Sequence, residues 1–319
     1  MNSYEKINYK LRPQKRIERA LIAQLINNFQ HIIGEKINYI GMGSLFYADF
    51  VYFNRYCDLN EMISIEMMED EFGIYDEKKE TRFRNNKPLE SIQLIPKAVS
   101  KAIDDLPFEQ SNFVWLDYDG SFEPAIISDV EEIVKRTKKS SIIAVSYNDR
   151  IPKQYKSNQE FYIEKCKKEY SEFVLEGVDH NFTSKGYARI ASGICEKYLE
   201  DQMDFYNNVN GTNFVLKKLS KVEYKDGEKM NTIIWVLLDE DQPYAQSFEQ
   251  QISDSEIYGE LNLKMEILTL FEKQLLDRKP SADRKDRKRT AEELGLEIET
   301  VEQYYKYAKY IPEYTEIIV

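Results

Sequence analysis

Residues 36–44 read Lys36-Ile37-Asn38-Tyr39-Ile40-Gly41-Met42-Gly43-Ser44, and residues 63–66 read Ile63-Ser64-Ile65-Glu66. The first run is a short apolar strand (36–41) that ends in Gly-x-Gly-Ser, and helix-forming sequence follows over 45–56. The second strand (61–66) ends in an acid 25 residues after Gly41. Strand, glycine turn, helix, strand and acid in that order predict a βαβ unit with a nucleoside site at its strand ends. Gly41 and Gly43 let a ligand approach the backbone, and the helix start beyond Ser44 offers free N–H groups. The Glu66 carboxylate is placed to accept both hydroxyls of a ribose, with Met67 beside it to pack on an adenine face. Leu45 stands where a third glycine would complete the usual fingerprint.

The alternation continues outward from this unit. A charged helix runs to about residue 83, and a third strand covers 90–95. A short helix (96–103), a fourth strand (112–117), a helix (124–137) and a fifth strand (141–146) follow. Five strands with intervening helices predict a parallel sheet with right-handed crossovers and helices on both faces. Upstream, Ile17, Ala20, Leu21, Leu25, Ile26 and Phe29 recur at helical spacing, so 11–33 reads as an amphipathic helix with Pro13 in its first turn and Gly34 at its end. Arg12, Lys15, Arg16 and Arg19 share that helix. Arg12 and Lys15 are candidates to hold a substrate phosphate or carboxylate, although a solvated face is the commoner meaning of such a pattern.

The fourth strand runs out through Trp115-Leu116-Asp117-Tyr118-Asp119-Gly120-Ser121. In an open parallel sheet, ligands bind beyond the carboxyl ends of the strands where the strand order reverses. Two carboxylates flanking an aromatic ring at that mouth suit proton transfer, acceptor binding or orientation of a cationic ligand. Asp117, Asp119 and Tyr118 are therefore the candidate catalytic residues. The plainer alternative is a strand end followed by a helix cap near Pro124.

Residues 39–148 resemble the class I S-adenosylmethionine-dependent methyltransferases. Gly41 and Gly43 match the glycine motif after the first strand, Glu66 the acid ending the second, and Asp117 with Asp119 the motif after the fourth. The run 116–121 is similar to the D-P-F-G-S stretch of tRNA guanine-N2 methyltransferases, without its proline and phenylalanine. It is not the N-P-P-Y or D-P-P-Y signature of DNA amino methylases. The resemblance covers about a third of the chain. It extends to about two thirds if strands at 213–224 and 230–239, joined around Asp226-Gly227, form the antiparallel hairpin that ends such a sheet. It implies a Rossmann-like α/β fold, S-adenosylmethionine as cofactor, and methyl transfer by direct displacement.

Composition narrows the chemistry. The 319 residues carry two histidines, three cysteines and a net charge of −12. His31 and His180 are far apart, and Cys57, Cys166 and Cys195 show no C-x-x-C spacing, so no metal centre is expected. His180 reads as an ordinary loop histidine. No Tyr-x-x-x-Lys pair follows strand four or five as a nicotinamide oxidoreductase would need. A polar N-terminus and no apolar run near 20 residues predict a cytoplasmic chain without a membrane span. Helices are expected over 154–169 and 187–206. The expected divisions are an N-terminal helical segment (1–34), the Rossmann-like domain (35–240) and a helical C-terminal region (241–319) with a linker from 241 and helices over 261–310. Within it, 278–289 holds seven basic residues against Asp283 and Asp286. That local +5 leaves −17 on the remainder. Helix–turn–helix spacing there and Tyr304, Tyr305, Tyr307 and Tyr310 beyond allow nucleic-acid contact by 278–310, against packing or homo-oligomerisation through these helices. The acceptor is open among a small molecule, a protein and an RNA. The rival to methyl transfer is a catalytically silent nucleotide sensor or scaffold using the same crevice.

Overall fold

The computed structural model describes residues 12–311, apart from 71, 153–158, 172, 174–185, 226, 254 and 280–282. His180 and residues 1–11 lie outside the described residues. Pro13 opens α1 (Pro13–Ile33) where a missing N–H costs nothing, and Gly34 closes it in the left-handed conformation, at φ 72°. The chain continues through β1 (Asn38–Gly41), α2 (Ala48–Tyr56), β2 (Met62–Ile65), α3 (Glu77–Asn85), β3 (Ile92–Ile95) and the short α4 (Val99–Ala102). Then come β4 (Asn112–Ser121), α5 (Pro124–Arg136), β5 (Ser140–Asn148), α6 (Gln159–Glu169) and α7 (Tyr187–Asn210). A hairpin of β6 (Phe214–Lys225) and β7 (Lys229–Asp239), α8 (Pro243–Ile252), β8 (Gly259–Asn262), α9 (Leu270–Arg278), α10 (Arg284–Leu294) and α11 (Ile298–Tyr307) complete it.

The strands form one eight-stranded sheet in the order β3-β2-β1-β4-β5-β7-β6-β8. β1 to β5 pair parallel, and β7 runs antiparallel to both β5 and β6. This is the α/β sheet, mostly parallel with a closing antiparallel hairpin, that the class I methyltransferase resemblance implies. Tyr39, Phe113, Trp115, Ile142 and Ala144 face one core layer, with Ile17, Phe29 and Phe50 from the helices above them. Ile40, Val114, Leu116, Ile143 and Val145 face the other layer, with Ile127 and Val130 of α5 and Ile194 of α7. Alternate strand residues thus enter opposite layers, as the pleat requires.

Several sequence expectations change. Residues 241–260 are not a linker, since they form α8 and then β8, which pairs in parallel with β6 over Ser220–Glu223. β8 is only Gly-Glu-Leu-Asn, and four residues at a sheet edge carry no periodic signal. The helical stretch begins at Leu270 rather than 261. β4 extends to Ser121, so Asp117 and Asp119 sit within the strand, where pairing with β5 is irregular between Asp117 and Ser121. The solvated basic face of α1 is also overturned: Lys15 is 1% exposed and Arg19 3%. α1 is covered from several sides, by α2, α8, β6 and the turn at 308–310.

Leu276, Ala291, Val301, Tyr304 and Tyr307 from the last three helices belong to the same buried layer as Ile17 and Phe29. They should therefore melt with the sheet. Leu276→Ala, at a fully buried position, is expected to cost about 2–4 kcal/mol in urea unfolding and to keep a single transition. Separate melting of the C-terminal helices would contradict this packing.

Candidate functional site

From β1 the chain builds β2 and β3 on one side, then crosses back to place β4 on the other. The order therefore reverses at β1/β4, where a crevice opens beyond the strand ends. A cavity of about 340 Å³ lies at these ends, within the range of small-molecule sites. Six of the residues singled out from the sequence line it: Ser44, Glu66, Met67, Asp117, Tyr118 and Asp119. Met42, Ile65 and Val99 add apolar wall.

Gly41 and Gly43 do not line this cavity, and their lack of a side chain serves the protein itself. A Cβ on Gly41 would collide with the Tyr39 hydroxyl, and one on Gly43 would lie 2.7 Å from the Tyr47 ring and 2.8 Å from Ser64 Oγ. The helix start is also displaced, because a turn at 44–47 precedes α2. Ser44 (φ 51°) and Tyr47 (φ 45°) both take left-handed backbone there, which is uncommon for residues other than glycine. Glu66 holds this turn in place. Its Oε1 accepts hydrogen bonds from the Ser44 N–H (3.0 Å) and Ser64 Oγ (3.2 Å). Burial pushes the Glu66 carboxyl up to about 7, against the opposing pull of donors from Gly43, Ser64 and Ser44.

The opposite wall is built by α1. Lys15 Nζ lies 3.2 and 3.1 Å from the two oxygens of Asp117, 3.0 Å from Glu18 Oε2 and 4.3 Å above the Trp115 ring. It also donates to Tyr224 Oη at 3.0 Å. Burial alone would drive the Lys15 ammonium down, but Asp117 and Glu18, with Tyr224 and Asp49, outweigh it and hold it well above the ordinary lysine value. One turn further on, Arg19 pairs with Asp49 in the first turn of α2, and both line the cavity. Glu18 is fully buried with the Lys15 ammonium as its cation, and burial raises its carboxyl against the pull of Lys15 and Thr232. Arg16 is half-buried with its guanidinium 4.2 Å from the Tyr52 ring centre. Arg12, the other phosphate candidate, stands just before α1 and outside the cavity lining.

Asp49 and Asp129 line the cavity without having been singled out in the sequence, where Arg19 stands only as part of the basic stripe of α1. Asp129, on α5, accepts a hydrogen bond from Tyr118 Oη at 2.7 Å, and burial raises its carboxyl. The signal for Asp49 was available, an acid in the first turn of the helix after the glycine turn, but it also reads as an ordinary helix-start acid. At the far end of the chain the tyrosines mostly pack. Tyr304 and Tyr307 are buried, Tyr304 donates to Asp277, and Tyr310 donates to Glu256 (2.7 Å). Lys279, Arg284 and Arg289 of the basic segment pair with Glu293, Glu302 and Asp286. Among the described residues no helix is long and apolar enough to cross a membrane.

Two consequences follow for the apo protein. A carboxyl whose pKa rises on folding favours the fold below its unfolded value, near 4.5, and that contribution is lost as pH rises through about 7. Glu66→Gln should therefore remove on the order of 2 kcal/mol of stability loss between pH 4.5 and 7.5, read from urea titrations across that window. An unchanged pH slope would contradict the burial of Glu66. Gly41→Ala should cost about 2–3 kcal/mol through its clash with buried Tyr39, and Tyr39→Leu in the same chain should recover part of it. An undisturbed melting temperature in Gly41→Ala would refute that packing.

Residues 7–319 match the model of a family described as putative O-methyltransferases. No protein with a curated description matches the chain. Among solved structures, the chain is similar to a putative O-methyltransferase from Klebsiella pneumoniae at 12% identity and a TM-score of 0.39, covering 73% of this chain and 84% of that one. It is also similar to TomG of Streptomyces achromogenes, an O-methyltransferase involved in tomaymycin synthesis and solved in complex with SAM. That match has 11% identity and a TM-score of 0.35, covering 69% of this chain and 79% of that one. With nearly its whole length matched by the family model, the chain belongs to this family of putative O-methyltransferases.

Proposed function

We propose that this protein transfers the methyl group of S-adenosylmethionine to an oxygen atom of its acceptor. The observation that carries the reading is the convergence of Ser44, Glu66, Met67, Asp117, Tyr118 and Asp119 on one cavity at the strand-order reversal. The fit to the cofactor rests on donor chemistry. Glu66 supplies a carboxylate suited to ribose hydroxyls, and Met67, 53% exposed, supplies an apolar flank for a purine. Asp117 supplies negative charge suited to the cationic methionine end. Bound S-adenosylmethionine supplies an already activated methyl group, so the chain's own work is alignment, desolvation and removal of one acceptor proton.

The wall residues divide that work. Both oxygens of Asp117 engage Lys15, which suits the carboxylate to fixed electrostatic stabilisation rather than to proton uptake. Asp119 is exposed at the mouth, where it can take the acceptor's hydroxyl proton and pass it to water. Tyr118, held by Asp129, offers a ring face against which an acceptor can rest.

Calorimetric titration of the full chain with S-adenosylmethionine and S-adenosylhomocysteine tests the cofactor reading. Micromolar binding is expected, strengthening as pH rises through about 7 while Glu66 ionises, and weakened at least tenfold in Glu66→Ala. No binding by the wild type, or unchanged binding in Glu66→Ala, would overturn it. Binding without methyl transfer to any fraction of a cell extract would favour the silent sensor instead.

A further inference from the structure

Most lysines of this chain stand at the surface, but Lys15 does not. Its side chain is 2% exposed, against 20% for the Asp117 side chain it contacts. Asp117 lines the cavity and Lys15 does not, so the carboxylate faces the ligand space with the ammonium behind it. The ammonium is fixed from several directions: Asp117 through both oxygens, Tyr224 Oη at 3.0 Å, Glu18 at 3.0 Å and the Trp115 ring at 4.3 Å. These partners come from β4, β6 and α1 itself. A carboxylate bridged through both oxygens has its rotation fixed, which a single contact would not do.

We propose that Lys15 is a positioning residue of the site, acting through Asp117 to aim that carboxylate at the cationic methionine end of the cofactor. This rests on the reading of the cavity as the cofactor site, because Asp117 matters to ligand only if that reading holds. Two further observations support it. First, among the described residues the acids lining the cavity (Asp49, Glu66, Asp117, Asp119 and Asp129) outnumber the cations Arg19, Lys79 and Lys97. That lining favours a cationic ligand group. Second, a buried ion pair adds little stability over apolar side chains of the same volume. Stability alone therefore does not account for a lysine buried against a cavity wall.

The test separates affinity from stability. Binding of S-adenosylmethionine, which carries the sulfonium, and of S-adenosylhomocysteine, which lacks it, is measured at pH 8 with thermal melting for the wild type, Lys15→Met, Asp117→Asn and the double variant. Lys15→Met is expected to melt lower, because it leaves Glu18 buried without its cation, and to bind about tenfold or more weakly, because Asp117 is no longer held toward the ligand. Asp117→Asn should lose a similar factor. The double variant should recover only part of the melting temperature, because Glu18 still lacks its cation, and none of the affinity, and its loss of affinity should be no greater than that of either single change, as expected for two residues acting through one group. Wild-type affinity in Lys15→Met, or recovery of affinity together with stability in the double variant, would overturn the proposal. If Lys15→Met does not fold, Lys15→Arg decides, because it keeps the charge but not the placement of the donor against Asp117: a tenfold loss of affinity at a near wild-type melting temperature supports the role, and wild-type affinity refutes it. A wild type that fails to bind S-adenosylhomocysteine removes the cofactor reading and this role with it. A wild type that binds, with unaffected Lys15→Met, removes this role only.

Discussion

Lys15 and Arg19 stand one helical turn apart on a buried face of α1, each neutralised by a carboxylate of the cavity wall. Burying a charge costs several kcal/mol unless a partner is fixed beside it, and losing one partner of a buried pair costs about 3–5 kcal/mol. α1 is therefore held in register with both β4 and α2, because a slip of one residue would strand two cations. The C-terminal third of the chain enforces the same placement. α8, β6 and the turn at 308–310 pack on α1, and Gln14 Nε2 donates to the Met265 carbonyl at 2.6 Å. The residues that line the cavity lie between Arg19 and Asp129, and the C-terminal third braces the helix that carries Arg19.

The opposite wall depends on a smaller device. Glu66 ends β2 and accepts hydrogen bonds from the turn after β1, so one carboxylate ties two strand ends together. The turn needs such a hold, since Ser44 and Tyr47 both take left-handed backbone. Tyr39 and Tyr47 fill the space that Gly41 and Gly43 leave open. The glycine motif shapes the site indirectly, by letting two tyrosines pack beneath the loop. The ionisable lining is mostly carboxylate, from Asp49, Glu66, Asp117, Asp119 and Asp129, in keeping with a chain of two histidines.

The sheet and the strand-end residues were legible because they obey local rules. Apolar runs of strand length alternate with helical periodicity, and the reversal of strand order dictates which ends matter. Glu66, Asp117 and Asp119 follow from position alone. Lys15 and Arg19 were not legible in the same way. A basic stripe on a helix ordinarily faces water, and their burial depends on elements 200 or more residues away, such as β6 and α8. β8 escaped for another reason, because four residues paired at an edge carry neither period nor turn signal. By charge count the basic segment at 278–289 allows either nucleic-acid contact or packing, and several of its cations pair with neighbouring acids.

We infer that the cavity at the β1/β4 reversal holds S-adenosylmethionine between the Glu66 wall and the Asp117 wall. A crystal structure of the full chain with S-adenosylhomocysteine tests this most directly. In that complex the ribose hydroxyls are expected on Glu66, the adenine beside Met67, and the amino acid end toward Asp117 with Lys15 still behind it. Ligand bound elsewhere on the chain, or bound in the cavity with the ribose away from Glu66, would contradict it.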